Sequence, residues 1–319
     1  NMFKKTLLAA SLALAAAGAQ AGVAVTIDFD GAGAGAAKSV ASLDWMPDSI
    51  LVLPGSKNNN VNLPAVGDEV QTYAQGILGS ARNSSNQQVW GSFNAPYEFT
   101  FVASFREVIS SVGGSLNDPG VGSIQLRSID GGLNYFRIYA DSTSVADPLA
   151  GTGYTDGKLI LEGYVNAYDN AAKTGLTDIA STNANQMETT LLDKAGPDNY
   201  GGMESVKLQG RADIMATVTS FDSEFFTDMS AGQLISLSMT AGVGTPFDLV
   251  DPSKYVAGQL AADTTVIGEI NGGTTGPGIG ILLQSDGAST FNKVPEPASA
   301  ALVGLALAGL GMSRRRAAK

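Results

Sequence analysis

Ser123-Ile124-Gln125-Leu126-Arg127-Ser128-Ile129-Asp130-Gly131-Gly132-Leu133-Asn134-Tyr135-Phe136-Arg137-Ile138-Tyr139 sets two β-rich runs on either side of Asp-Gly-Gly. Glycine accepts the positive φ that tight connections need, so a three-residue loop of this kind predicts a β-hairpin. Upstream, Tyr97 to Ser110 puts Phe99, Phe101, Ala103 and Phe105 on one face of an extended run. Glu69 to Leu78 is likewise rich in aromatic and β-branched residues, and both runs read as central strands. Val23, Val25, Ile27 and Phe29 alternate with small or polar residues, and Ala41 to Trp45 and Ser49 to Leu53 are extended runs on either side of Pro47. Downstream, Asp156-Gly157 introduces Lys158 to Val165, followed by Val206 to Leu208, Ile214 to Phe221, Leu234 to Met239, Thr264 to Ile270 and Ile281 to Leu283. The total is about ten to thirteen strands with no alternating helices, which predicts an all-β, antiparallel, jelly-roll-like β-sandwich.

Glycine supplies 39 of 319 residues, about 12% against a usual 7% or so, which favours many turns. It follows no strict period, and the absence of a repeat argues against a propeller or β-helix. The polar, irregular stretch from Asn170 to Gly201, with at most a short helix near Gln186 to Lys194, is the largest expected loop excursion.

The chain contains neither cysteine nor histidine. Disulfides and thiol chemistry are therefore excluded, as are Ser-His-Asp triads and histidine-ligated zinc or haem. Carboxylate-pair glycoside hydrolysis survives this filter. Glu69, Glu98, Glu107, Glu162 and Asp169 lie on or beside predicted strands, but nothing in their spacing marks a pair.

Both ends read as sorting segments. Lys4 and Lys5 precede an apolar run from Leu7 to Ala17, and Ala19-Gln20-Ala21 offers a signal peptidase site, so the mature chain is expected to begin at Gly22. At the other end Val294-Pro295-Glu296-Pro297 is followed by an apolar stretch, Ala298 to Met312, and by Arg314-Arg315-Arg316. Such a stretch spans about 22 Å as a helix, short of the roughly 30 Å hydrocarbon core, and the arginines hold it on the cytoplasmic side. A transient inner-membrane intermediate follows, rather than a permanent anchor. The expected division is 1–21 signal peptide, 22–285 β domain, 286–293 linker and 294–319 sorting signal. Lys4, Lys5, Arg314, Arg315, Arg316 and Lys319 belong to the segments, leaving 13 basic against 30 acidic residues and a net charge of about −17. That body repels nucleic acid and anionic membranes.

The motif, apolar helix and arginine cluster, in that order, resemble the PEP-CTERM sorting signal. The resemblance implies export by an exopolysaccharide-producing Gram-negative bacterium and cutting near the motif by exosortase. The two prolines fix φ and lack backbone donors, which keeps the segment before the helix extended and accessible to a protease. The body further resembles the flocculation-associated, PepA-type members. Asp28-Phe29-Asp30-Gly31-Ala32-Gly33, Leu43-Asp44-Trp45, Tyr73-Ala74-Gln75-Gly76, Tyr97-Glu98-Phe99-Thr100-Phe101-Val102, Leu149-Ala150-Gly151-Thr152-Gly153-Tyr154 and Val250-Asp251-Pro252-Ser253 carry that likeness. It implies a non-catalytic matrix or surface protein that helps retain exopolysaccharide in flocs or biofilm. The alternative is an exported polysaccharide-active enzyme of the carboxylate-pair, glycosidase-like kind.

Candidate ligand residues are few. Asp28-Phe29-Asp30-Gly31 opens like a calcium loop, but the twelfth position is Ser39 where an EF-hand needs glutamate. A looser Ca²⁺ site at Asp28 and Asp30 stands as the metal candidate, against ordinary turn chemistry. Loops at Asn117-Asp118, Asp130 and Asp198-Asn199 have the same standing. Gly31 to Gly35 contains G-x-G-x-G, but no α/β unit follows to bind a nucleotide. Among the larger aromatics, Trp90, Tyr168 and Tyr200 sit in polar surroundings and are the candidates for stacking on sugar rings. An acidic polysaccharide would need a divalent cation between it and this body, whereas a neutral one would not.

Overall fold

The computed structural model describes residues 23–292 apart from 33–36, 54–64, 94, 115–121, 143–144, 149–150, 182–186, 189–204, 207, 242–248 and 250–280. Both sorting segments, Tyr200 and the expected strand Thr264 to Ile270 lie outside the described residues. The strands are β1 (Val25–Ile27), β2 (Lys38–Val40), β3 (Ser42–Leu53), β4 (Glu69–Arg82), β5 (Gln88–Gly91), β6 (Glu98–Gly113), β7 (Ser123–Ser128), β8 (Tyr135–Asp141), β9 (Lys158–Val165), β10 (Leu176–Ser181), β11 (Met187–Glu188), β12 (Ser205–Val206), β13 (Leu208–Phe221), β14 (Leu234–Ala241) and β15 (Ile281–Asn292).

Two long strands organise the body. One edge of β6 pairs with β4, and the other pairs with β8 over its first half and β7 over its second. β13 repeats the scheme, with β14 on one edge and β9 and β10 end to end on the other. β8 pairs with β9 and β7 with β10, so two short bridges join the same pair of long strands. The path onward through β14, β15, β3 and β4 returns to β6 and closes the hydrogen-bonded circuit. The antiparallel, sandwich-like all-β fold is present, with its sheet faces joined through continuous pairing.

The inward face follows the period of two. Phe99, Phe101, Ala103 and Phe105 of β6, Phe136 and Ile138 of β8, Ile214 of β13, Leu237 of β14 and Phe291 of β15 meet in one buried cluster. Each of the larger side chains contributes roughly 1.5–3 kcal/mol of burial. Trp45 lies among them and donates its indole N–H to Ser289 Oγ at 2.9 Å.

Pro47 does not divide two strands as its position suggests. β3 runs through it, and the registers with both β4 and β15 shift around it. A bulge accommodates a residue that cannot donate to a ladder.

The Asp-Gly-Gly stretch departs from the predicted hairpin. Gly131 and Gly132 do adopt positive φ, 89° and 72°. β7 and β8, however, do not pair with each other and instead follow one another along the same edge of β6. Residues 129–134 step out of the sheet and back, and the Asn134 side chain closes the gap. Its Oδ1 accepts the Arg106 N–H at 2.6 Å, and its Nδ2 donates to Ile129 O at 2.8 Å. The expected linker 286–293 is also corrected, because β15 continues to Asn292. Of the predicted helix near Gln186, Met187 and Glu188 form a short strand with Ser205 and Val206, and the rest is outside the described residues.

Candidate functional site

β9 and β10 are interrupted as β7 and β8 are. They run end to end along β13, joined by residues 166–175. The two excursions meet. Ser128 N–H donates to Gly175 O at 2.8 Å, Tyr168 N–H to Ser128 O at 2.9 Å, and Ser128 Oγ to Asn166 O at 2.9 Å. Tyr164 Oη lies 3.3 Å from the Gly131 N–H that donates to it. Gly175, at φ 77°, passes so close to Ser128 Oγ and Tyr168 Cα that a Cβ has no room. A ridge thus divides the outer surface of the two bridges.

On the β7–β10 side of this ridge the outward residues align in register. Ser111 stands opposite Gln125, Gln125 opposite Asp178, Asp178 opposite Arg211 and Arg211 opposite Thr240. This five-strand row spans about 19 Å at the usual strand spacing. A cavity of about 430 Å³ lies over it, lined also by Ser123 and Gln209. Gln125 Nε2 donates to Asp178 Oδ1 at 2.9 Å, and Arg211 donates through Nε and Nη2 to Asp213 at 2.5 and 3.0 Å. Asp213 also accepts from Ser238 Oγ at 2.6 Å. One row along, the Arg127 guanidinium lies 4.6 Å from the centroid of the Tyr168 ring, a cation–π contact at the foot of the ridge.

The β8–β9 side is different. Ala146 and Tyr154 form a partial cover there, packing on Ile77 of β4, Val102 of β6 and Tyr139 of β8 in a second apolar cluster, while Leu159 and Tyr164 of β9 stay exposed. Arg137 pairs with Glu162 at 2.7 Å and lies 4.4 Å from the Tyr135 ring centroid. Under the cover, burial lifts the Asp48 carboxyl to about 6. Burial likewise raises Glu98, opposed by the Ala146 N–H and reinforced by Asp141, Asp156 and Asp48.

Glu107 points inward at the level of the ridge and is fully buried. Thr72 donates to its Oε2. Thr177 turns its hydroxyl toward the carboxyl outside normal hydrogen-bond geometry, which leaves Oε1 unpaired. Burial pushes this carboxyl up to about 7, against the hydroxyl contacts.

The residues singled out in the sequence are not brought together. Trp90 lies half-buried on β5 at the margin of the core, stacked on Phe29 at 4.8 Å and edge-on to Phe99. Tyr168 does remain at the surface, over Arg127. Asp28 is buried, and its carboxyl hydrogen-bonds that of Asp30, which lowers the Asp30 pKa. The Asp28 and Asp30 Oδ1 atoms accept the N–H groups of Asp30 and Ala32 at 3.3 and 3.0 Å, an arrangement of turn chemistry. Among the described residues no three carboxylates converge to hold a metal ion. Glu69 pairs with Arg106, Glu162 with Arg137, and Asp169 Oδ1 accepts the Ala171 N–H at 2.7 Å.

Ala19, Ala21, Gly22, Val294, Pro295, Glu296, Pro297 and Arg314 to Arg316 lie outside the described residues. Their reading rests on sequence, and for the C-terminal residues a comparison bears on it. Residues 293–316 match the PEP-CTERM protein-sorting motif. The motif marks an exported chain that is sorted to the cell surface through the membrane, with exosortase as its processing partner. No curated protein and no solved structure matches the chain. Among the described residues no helix is long and apolar enough to cross a membrane. The helix expected within the PEP-CTERM motif, Ala298 to Met312, is not among them.

Sequence reasoning missed the row over β6, β7, β10, β13 and β14. Its members come from five strands distant in the chain, and β10 falls inside the stretch expected to be irregular.

Proposed function

We propose that this is a non-catalytic matrix or surface protein which, after processing by exosortase, helps retain exopolysaccharide in flocs or biofilm. The PEP-CTERM motif at 293–316 carries the reading, because it sends the chain to the cell surface. The absence of histidine and cysteine agrees with a role that needs no reaction centre. The partners are signal peptidase and exosortase during export and the polysaccharide afterwards. No cofactor is required.

Deleting the gene and measuring exopolysaccharide that sediments with the cells tests this. A clear fall is expected, and an unchanged amount overturns the reading. Replacing Pro295-Glu296-Pro297 with alanines should leave uncut protein in the inner membrane.

A second reading, an exported polysaccharide-active enzyme, is favoured by Asp48 and Glu98. These are two carboxyls lifted by burial within electrostatic reach of each other. Pure protein that shortens the polysaccharide, and loses that activity as Glu98→Gln, would replace the first reading with this one.

A further inference from the structure

We infer that the groove over the Ser111–Gln125–Asp178–Arg211–Thr240 row binds a neutral, hydroxyl-rich stretch of glycan, held by hydrogen bonds and flanked by Tyr168. This deepens the retention reading and rests on it.

Three observations lead there. The first is shape: about 430 Å³ over a row five strands wide is within the range of small-ligand sites, and the row is elongated as a chain segment would require. The second is chemistry. Among the described residues the Ser111 and Thr240 hydroxyls and the Gln209 amide have no partner, and Asp178 Oδ2 and Arg211 Nη1 are uncommitted. The groove therefore offers donors and acceptors in alternation. Sugar hydroxyls both give and accept hydrogen bonds and satisfy such a set; an apolar ligand would strand it.

The third is charge. On a body near −17, this face sets Arg127 and Arg211 against Asp178 and Asp213 and is locally neutral. A uronate-bearing polymer would find no excess cation here and would be repelled by the rest of the body. A neutral segment incurs neither cost. Tyr168 stands about 7 Å along the strand from the row, since Arg127 follows Gln125 by two residues, and is placed to cover a ring at the groove's edge.

The test uses the processed protein purified from the cell surface, co-sedimented with exopolysaccharide from the producing cells. Asp178→Ala combined with Gln209→Ala should weaken binding at least about tenfold, since each removes exposed hydrogen-bonding groups. Thr240→Trp, which fills the groove and leaves Asp178 in place, should do the same. Equal thermal melting of wild type and variants shows that the fold is kept. Cellohexaose, maltohexaose or mannohexaose should compete, hexagalacturonate should not, and EDTA should change nothing. Wild-type-like sedimentation of both variants, or competition by hexagalacturonate alone, overturns the groove assignment and leaves retention standing. Failure of the wild type itself to sediment overturns both.

Discussion

The β8–β9 bridge and the β7–β10 bridge are the same construction met twice. Each is two short antiparallel strands between β6 and β13. Beside one, Ala146 and Tyr154 cover Ile77, Val102 and Tyr139; the other carries a polar row that none of the described residues covers. The scaffold therefore does not decide which surface is free. Where Ala146 and Tyr154 pack, the outer face adds to stability; over the polar row, none of the described residues does so.

If that contrast holds, substitutions should divide cleanly by side. Tyr154→Ala removes a large side chain that is 2% exposed, and chemical denaturation should register a loss of about 3–5 kcal/mol. A loss under about 1 kcal/mol would mean that the cover is not what distinguishes the two bridges.

Between the bridges, Glu107 should dominate the pH response. Its folded pKa of about 7 lies above the ordinary glutamate value of 4.5, so the folded state holds the proton more tightly. Stability from this group is fully present below pH 4.5, declines as pH rises toward 7, and amounts to about 3 kcal/mol lost above that. Glu107→Gln should be more stable than wild type by up to that amount at pH 8 and about equal at pH 4, measured by urea unfolding. An equal difference at both pH values would assign the effect to packing instead.

The ridge itself is testable by Gly175→Ala. Positive φ and the contacts with Ser128 and Tyr168 together should cost about 2–3 kcal/mol. Gly232→Ala, at φ 87° in open space, should cost about 1 kcal/mol. The smallest effect is expected in the uncovered groove, where Arg211→Ala should change stability by no more than about 0.5 kcal/mol. A larger loss there would make the row structural.

The strands were legible because their inward residues are apolar at every second position, as with Phe99, Phe101, Ala103 and Phe105. β10 was not, because Thr177 takes a buried inward position beside Ile179 and breaks the apolar alternation. The Asp-Gly-Gly loop misled for a different reason. Two glycines at positive φ allow the chain to reverse and equally allow it to step aside, and nothing local chooses between them. The choice is made by β6, whose 16 residues offer an edge long enough for β7 and β8 in succession. Trp90 looked exposed because its sequence neighbours are polar, although β5 turns it toward Phe29. The groove was invisible for want of any local pattern.

The chain leaves the body from β15, which lies between β14 and β3 and so is bonded along both edges. Val23 N–H also donates to Phe291 O at 2.9 Å, tying the first described residue to the last turn of that strand's path. A pull on the chain beyond Asn292 therefore enters an inner strand. Extracting it means rupturing two ladders together, whereas an outermost strand could peel one bond at a time. The sorting tail thus issues from the strand best held against a pull.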